Sequence, residues 1–144
     1  MSRALAQPGA SLAAHLRRGK GAIDGVHRTL IEPKLDGSVN LEVAWAGGQR
    51  EGERLFDYLA VVADGCALKL IEVHPASSTG AVQEVIEKKQ GTEAIAARSK
   101  VSLEGGSWHW LVPGKGSVTF TANDGHGKRL ALAGIVQPRR RLAG

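Results

Sequence analysis

The chain is poor in the residues that build stapled or metal-clustered folds. Of 144 residues one is a cysteine, Cys66, which excludes an internal disulfide framework and any zinc or iron–sulfur centre held by several thiolates. A lone thiol fits a reducing compartment, so a cytoplasmic location is the expectation. No apolar run approaches the roughly 18 residues that a membrane-crossing helix needs. Aromatics make up only 4% of the chain, and neither an internal repeat nor a low-complexity tract is present. What remains is an ordinary globular composition, 42% hydrophobic and 23% charged, in a length that suits one core.

Charge is unevenly spread. Residues 1–30 hold five Lys or Arg against Asp24 alone, and residues 126–144 hold five with no acid, while the centre is mildly acidic. Two basic ends around an acidic middle suit an anionic polymer gripped at its flanks, although solvated terminal charges give the same pattern. The first 25 residues, rich in Ala, Gly and Arg, are expected to form a basic, partly mobile arm, with residues 26–144 as a single domain. Within that arm Ser11 is a candidate cap for a short helix to Arg18, stopped by Gly19, and Ala10–Leu16 is too short for a signal-peptide core.

Further along, Val26–Ile31 is expected as a strand ended by Pro33. Ser38–Trp45 alternates like a strand, yet Asn40 would equally cap a helix over Leu41–Ala46. Leu55–Val62 and Cys66–His74 form an apolar strand pair around an Asp64-Gly65 turn, with Cys66 as a small buried hydrophobe. Ser77-Ser78-Thr79 offers hydroxyls to cap a helix from Gly80 to about Arg98, weakened at Gly91. Trp108–Val112 and Ser117–Thr121 are expected as short strands about a Pro113-Gly114 turn, with the two tryptophans packed in the core. Gly114-Lys115-Gly116-Ser117 lacks the frame of a phosphate loop. Asn123 or Asp124 caps a last helix through Ala133, and Gly134 ends it. The sum is an α/β or α+β domain, a mixed sheet flanked by helices.

The chemical interest lies in Phe56-Asp57-Tyr58 and in Leu70-Ile71-Glu72-Val73-His74-Pro75-Ala76. Alternation puts Glu72 and His74 on one face, and pairing through the turn leaves Asp57 a few residues past the point opposite Glu72, within reach through a small offset or bulge. Two carboxylates and an imidazole could hold one hard divalent cation. The residues alone equally allow surface groups paired with Lys69, Lys88 or Lys89. His15, His27, His109 and His126 show no ligand spacing and are expected at the surface or in the core.

Asp57, Glu72-Val73-His74 on the next strand, and a helix with Lys88-Lys89 together resemble the PD-(D/E)xK nuclease-like superfamily. The stretch Glu72-Val73-His74-Pro75-Ala76, the Ser-rich helix start and the basic Arg139-Arg140-Arg141 ending are similar to a branch of small uncharacterised proteins with that core. The resemblance implies a restriction-endonuclease-like core, Asp57 and Glu72 as ligands of Mg²⁺ or Mn²⁺, metal-dependent hydrolysis of DNA or RNA, and a homodimer. His74 stands where the pattern has lysine, and a neutral imidazole cannot steady charge on phosphate as an ammonium does. His74 then serves as ligand or proton acceptor, with Lys88 or Lys89 reaching over the sheet as the missing cation. The alternative is a catalytically degenerate domain that binds nucleic acid or a protein. Lys128, Arg129, Arg139, Arg140 and Arg141 are the expected phosphate-backbone contacts, and Glu42 matches an acidic position of that branch as an outer participant.

Overall fold

Six strands form one mixed sheet in the order β1-β2-β3-β4-β5-β6, as seen in a computed structural model. The structure describes residues 10–62, 67–76, 80–114, 118 and 120–143. The expected Asp64-Gly65 turn, Cys66, the Ser77-Ser78-Thr79 cap and the Lys115-Gly116-Ser117 segment lie outside the described residues. The chain runs through α1 (Ala10–Ala14), β1 (Arg17–Arg18), α2 (Gly25–Arg28), β2 (Gly37–Asn40), α3 (Leu41–Ala44), β3 (Tyr58–Val62), β4 (Ala67–Val73), α4 (Gly80–Arg98), β5 (Ser107–Leu111), α5 (Gly125–Leu132) and β6 (Ile135–Arg139).

Strands β1 to β4 form an antiparallel meander, and β4, β5 and β6 run parallel. The parallel half follows from its connections, since α4 joins β4 to β5 and α5 joins β5 to β6 as crossover helices. The sheet is thus mixed and helix-flanked, as the sequence indicated.

Side-chain alternation sorts two cores onto the two faces. Leu59, Val61, Leu68, Leu70, Trp108, Trp110 and Ile135 pack with Leu12, Leu41, Val85, Ile95 and Leu130 of the helices. On the other face Tyr58, Ala60, Val62, Ile71 and Leu111 pack with Ile23, Ile31, Leu35 and Leu142, supplied by irregular segments. Both tryptophans are core residues; Phe56 and Trp108 meet edge to face with centroids 5.0 Å apart.

Several local expectations change. Residues 26–31 are not a strand. Val26 is 75% exposed, so its place in the alternation buries nothing, and the Asp24 carbonyl accepts from the His27 and Arg28 amides to start α2 instead. The helix in the basic arm stops at Ala14, and Arg17–Arg18 pairs with Gly37 and Ser38 at the sheet edge. Leu12 is fully buried, which ties this part of the arm to the main core. Ser38–Trp45 turns out to be both candidates in succession, a strand to Asn40 and then a helix whose Val43 amide donates to Asn40 Oδ1 at 3.2 Å. The expected partner strand Ser117–Thr121 lies largely outside the described residues, and among the described residues β5 is paired in parallel with β4 and β6 on its two sides. The sixth strand, Ile135–Arg139, is polar and contains Pro138, which an edge position tolerates. Asp124 and Gly134 do bound α5 as expected, the former accepting from the His126 and Gly127 amides and the latter at φ 77°.

Gly91 does not interrupt α4. A Cβ there would lie 2.0 Å from the Arg54 carbonyl oxygen, so glycine is what allows the segment before β3 to lie directly on the helix. One turn of packing is exchanged for one close backbone crossing.

Candidate functional site

That crossing sets up the acidic pair. Tyr58 lies opposite Ile71 in the β3–β4 register. One step outward, Asp57 therefore falls directly opposite Glu72, and the offset or bulge expected from the sequence is not required. The Val73 amide donates to Asp57 Oδ2 at 3.0 Å, which fixes the carboxylate against β4, and the Asp57 carbonyl accepts from the Leu41 amide at the start of α3.

Glu72 shares its face with Leu68 and Leu70, beneath α4, and is 0% exposed. Lys88, one of the half-buried residues of that helix, donates from Nζ to Glu72 Oε2. The other oxygen, Oε1, is buried without a hydrogen-bond partner. Burial is the main cause that pushes the Glu72 carboxyl up to about 8, the nearby Asp57 charge adds to it, and the Lys88 bond opposes both. Exposed Glu42 contributes the smallest upward push.

Thr92 joins the parts. Its buried hydroxyl accepts from the Phe56 amide at 2.8 Å and donates to the Lys88 carbonyl at 2.7 Å. A single side chain thereby ties the residue before Asp57 to the backbone of Lys88. Sequence reasoning missed Thr92; the available signal was a polar residue one helical turn after Lys88 on a helix packed against the sheet.

The two lysines separate clearly. Lys89 pairs with Glu93 at 3.2 Å and lies over the Trp108 ring at 4.9 Å, so it packs on the core and Lys88 is the lysine at Glu72. His74 does not join the acids as a third ligand. Its Nε2 lies 2.8 Å from Glu84 Oε2 and its Nδ1 2.7 Å from the Pro75 carbonyl, so both nitrogens are engaged with oxygen acceptors. Glu84, whose spacing in the sequence suits an i,i+4 pair with Lys88, bonds His74 instead and lies 3.9 Å from Arg54. Among the described residues no three His, Cys, Asp or Glu side chains come together as a metal-holding group.

The donor set nevertheless suits a hard cation in part. Two carboxylates face each other across a strand pair, and one buried oxygen of Glu72 has no partner, a costly arrangement unless a proton or cation satisfies it. The expected phosphate contacts divide. Lys128 and Arg129 lie on α5, which packs on the α4 side of the sheet, with Arg129 bonded to Gln83 of α4. Arg139, Arg140 and Arg141 lie beyond β5 at the far edge, where Arg141 pairs with Glu32 at 3.5 Å and Arg140 donates to the Gly114 carbonyl. No family model, no curated protein and no solved structure matches the chain.

Proposed function

We propose that the chain is a nuclease-like domain that hydrolyses phosphodiesters of DNA or RNA with a divalent cation, Mg²⁺ or Mn²⁺, held by Asp57 and Glu72. The observation that carries this reading is Lys88 reaching from α4 to Glu72 at the point where Asp57 stands opposite. Two oxygen donors and one ammonium then gather at one place, with the lysine moved from the strand position taken by His74 to the helix above it.

When bound, the cation would screen the phosphate and acidify a water. Asp57, anchored through one oxygen by the Val73 amide, keeps its second oxygen for a ligand. Glu72 would hold the cation in its ionised form, so affinity should rise with pH toward about 8. Lys88, released from Glu72, supplies positive charge to the phosphate oxygens. Thr92 holds the lysine-bearing turn and the Asp57 strand entry in register. Lys128 and Arg129, on the same side of the sheet, are the basic residues placed to hold the polymer backbone.

A second reading, a catalytically degenerate binding module on the same fold, is favoured by the full burial of Glu72 under Lys88 and by the engagement of His74 with Glu84. One experiment separates the two. Wild type, Asp57→Asn, Glu72→Gln and Lys88→Met are assayed on mixed DNA and RNA with Mn²⁺, alongside thermal melts with and without the ion. Hydrolysis lost by about 100-fold or more in each variant, with Mn²⁺ stabilising wild type but not Glu72→Gln, supports the enzyme. Salt-sensitive nucleic-acid binding in all four proteins without metal-dependent stabilisation supports the module.

A further inference from the structure

The opposite face of the sheet carries a separate cluster of charge. Alternation turns Lys69 of β4 and His109 of β5 to the side of Ile71 and Leu111, away from Glu72 and α4. With Arg139 of β6 and Arg141 just beyond it they line a cleft of about 220 Å³ floored by Leu111 and Leu142. No acidic side chain lines this cleft among the described residues. Among the described residues Lys69 and Arg139 make no ion pair with an acid, and Arg141 meets the exposed Glu32 at 3.5 Å.

Like charges drawn into one concavity repel, and the strain is visible at His109. Burial first, and then the charges of Lys69 and Arg139, push its imidazole down to about 4. The Ser107 hydroxyl meets its Nε2 at 2.7 Å. Such an arrangement is relieved by an anion, which the guanidinium groups can grip through paired N–H donors. The space is below the roughly 300–1,000 Å³ of sites for drug-sized ligands, so it admits one tetrahedral oxyanion and a small part of its carrier.

We propose that the cleft between Lys69, His109, Arg139 and Arg141 is a phosphate-binding site that takes a single phosphomonoester group. It lies on the opposite side of the sheet from Asp57 and Glu72 and stands independently of any chemistry there. A terminal phosphate has two formal charges to match against the cluster, where an internal phosphodiester has one.

The test follows the His109 ring by NMR during titration with inorganic phosphate, thymidine 5′-monophosphate and thymidine at constant ionic strength. Saturable shifts with both phosphates and none with thymidine are expected, together with a rise of the His109 pKa when phosphate is bound. Burial, then Lys69 from β4 and Arg139 from β6, set this pKa, and the Ser107 hydroxyl at the ring and Arg141 with its partner Glu32 are the other polar and charged groups at the cleft. Lys69→Gln and, as an alternative at an exposed position, Arg139→Gln should each weaken binding by about tenfold, while Glu72→Gln should leave it unchanged. An oligonucleotide with a 5′-phosphate binding more tightly than its 5′-hydroxyl counterpart would identify a strand terminus as the source; equal binding of the two oligonucleotides, with the monophosphate bound, would identify a small phosphorylated molecule. A response to phosphate no larger than the response to chloride at matched ionic strength, or undiminished phosphate binding in both cleft variants, would overturn the proposal.

Discussion

The two faces of the sheet around β4 and β5 treat buried charge with opposite sign. On the helix-covered face Glu72 sits beside Asp57, and burial with a like charge drives its carboxyl up to about 8. On the adjacent strand, opposite Ile71 and on the other face, His109 sits beside Lys69 and Arg139, and the same two causes drive its imidazole down to about 4. Both groups are pushed toward their neutral forms. Among the described residues the acid has a compensating cation, Lys88, whereas the imidazole is met by the Ser107 hydroxyl. A charge cluster closed by its own lysine is built into the fold; one left open to solvent is available to a ligand.

The largest test of that contrast removes one cation from each face. Lys88→Met takes away the one cation bonded to Glu72; its cost in urea unfolding should be small where the carboxyl keeps its proton and grow to about 3 kcal/mol above pH 8, largely recovered in the Glu72→Gln/Lys88→Met double variant. Lys69→Met lowers repulsion and should cost nothing or add slight stability. Equal losses at both sites would erase the distinction.

A smaller difference is expected in packing. Gly91→Ala on the helical face forces a methyl into the Arg54 backbone and should cost about 2 kcal/mol. Gly25→Ala, at the start of the short helix α2, places its methyl where nothing lies within 4 Å and should change stability by no more than about 0.5 kcal/mol in the same measurement.

The finest test is the pH profile. Glu72 binds its proton more tightly folded than unfolded, so its contribution is full below about 4.5 and is lost as pH rises to about 8. His109 binds its proton less tightly folded, so its contribution is present above 6.5 and is lost as pH falls to about 4. Each limb has a slope of at most about 1.4 kcal/mol per pH unit. Denaturant melts across pH should show Glu72→Gln flattening the alkaline limb alone and His109→Gln the acidic limb alone.

The strand pair Tyr58–Val62 and Ala67–Val73 was legible in the sequence because both runs are apolar on two faces, and the acids stood out against that background. The choice between Lys88 and Lys89 was not legible. Neighbours on a helix differ by about 100° in direction, and only the docking of α4 through Gly91 and Thr92 sets that phase. His74 looked like a ligand because it shares the parity of Glu72, but Glu84, ten residues on, claims its ring. In the sequence Lys69 stands as a possible counterion of the acids and His109 as a surface or core histidine, because alternation within one strand does not reveal which neighbouring strand will complete a cluster. The Pro113-Gly114 signal suggested a hairpin, whereas among the described residues β5 pairs in parallel with β4 and β6. Strand β6 was hidden by its polarity and by Pro138, features that suit a border position and conceal it from periodicity.

Those borders have a consequence for solubility. One flank of the sheet ends in a two-residue ladder of arginines, and the other ends in a strand whose proline lacks an amide hydrogen. Among the described residues neither flank presents a long uninterrupted row of backbone donors to a foreign strand. Two molecules of this protein would have to recognise one another through side chains, leaving polymerisation by strand addition without a starting template.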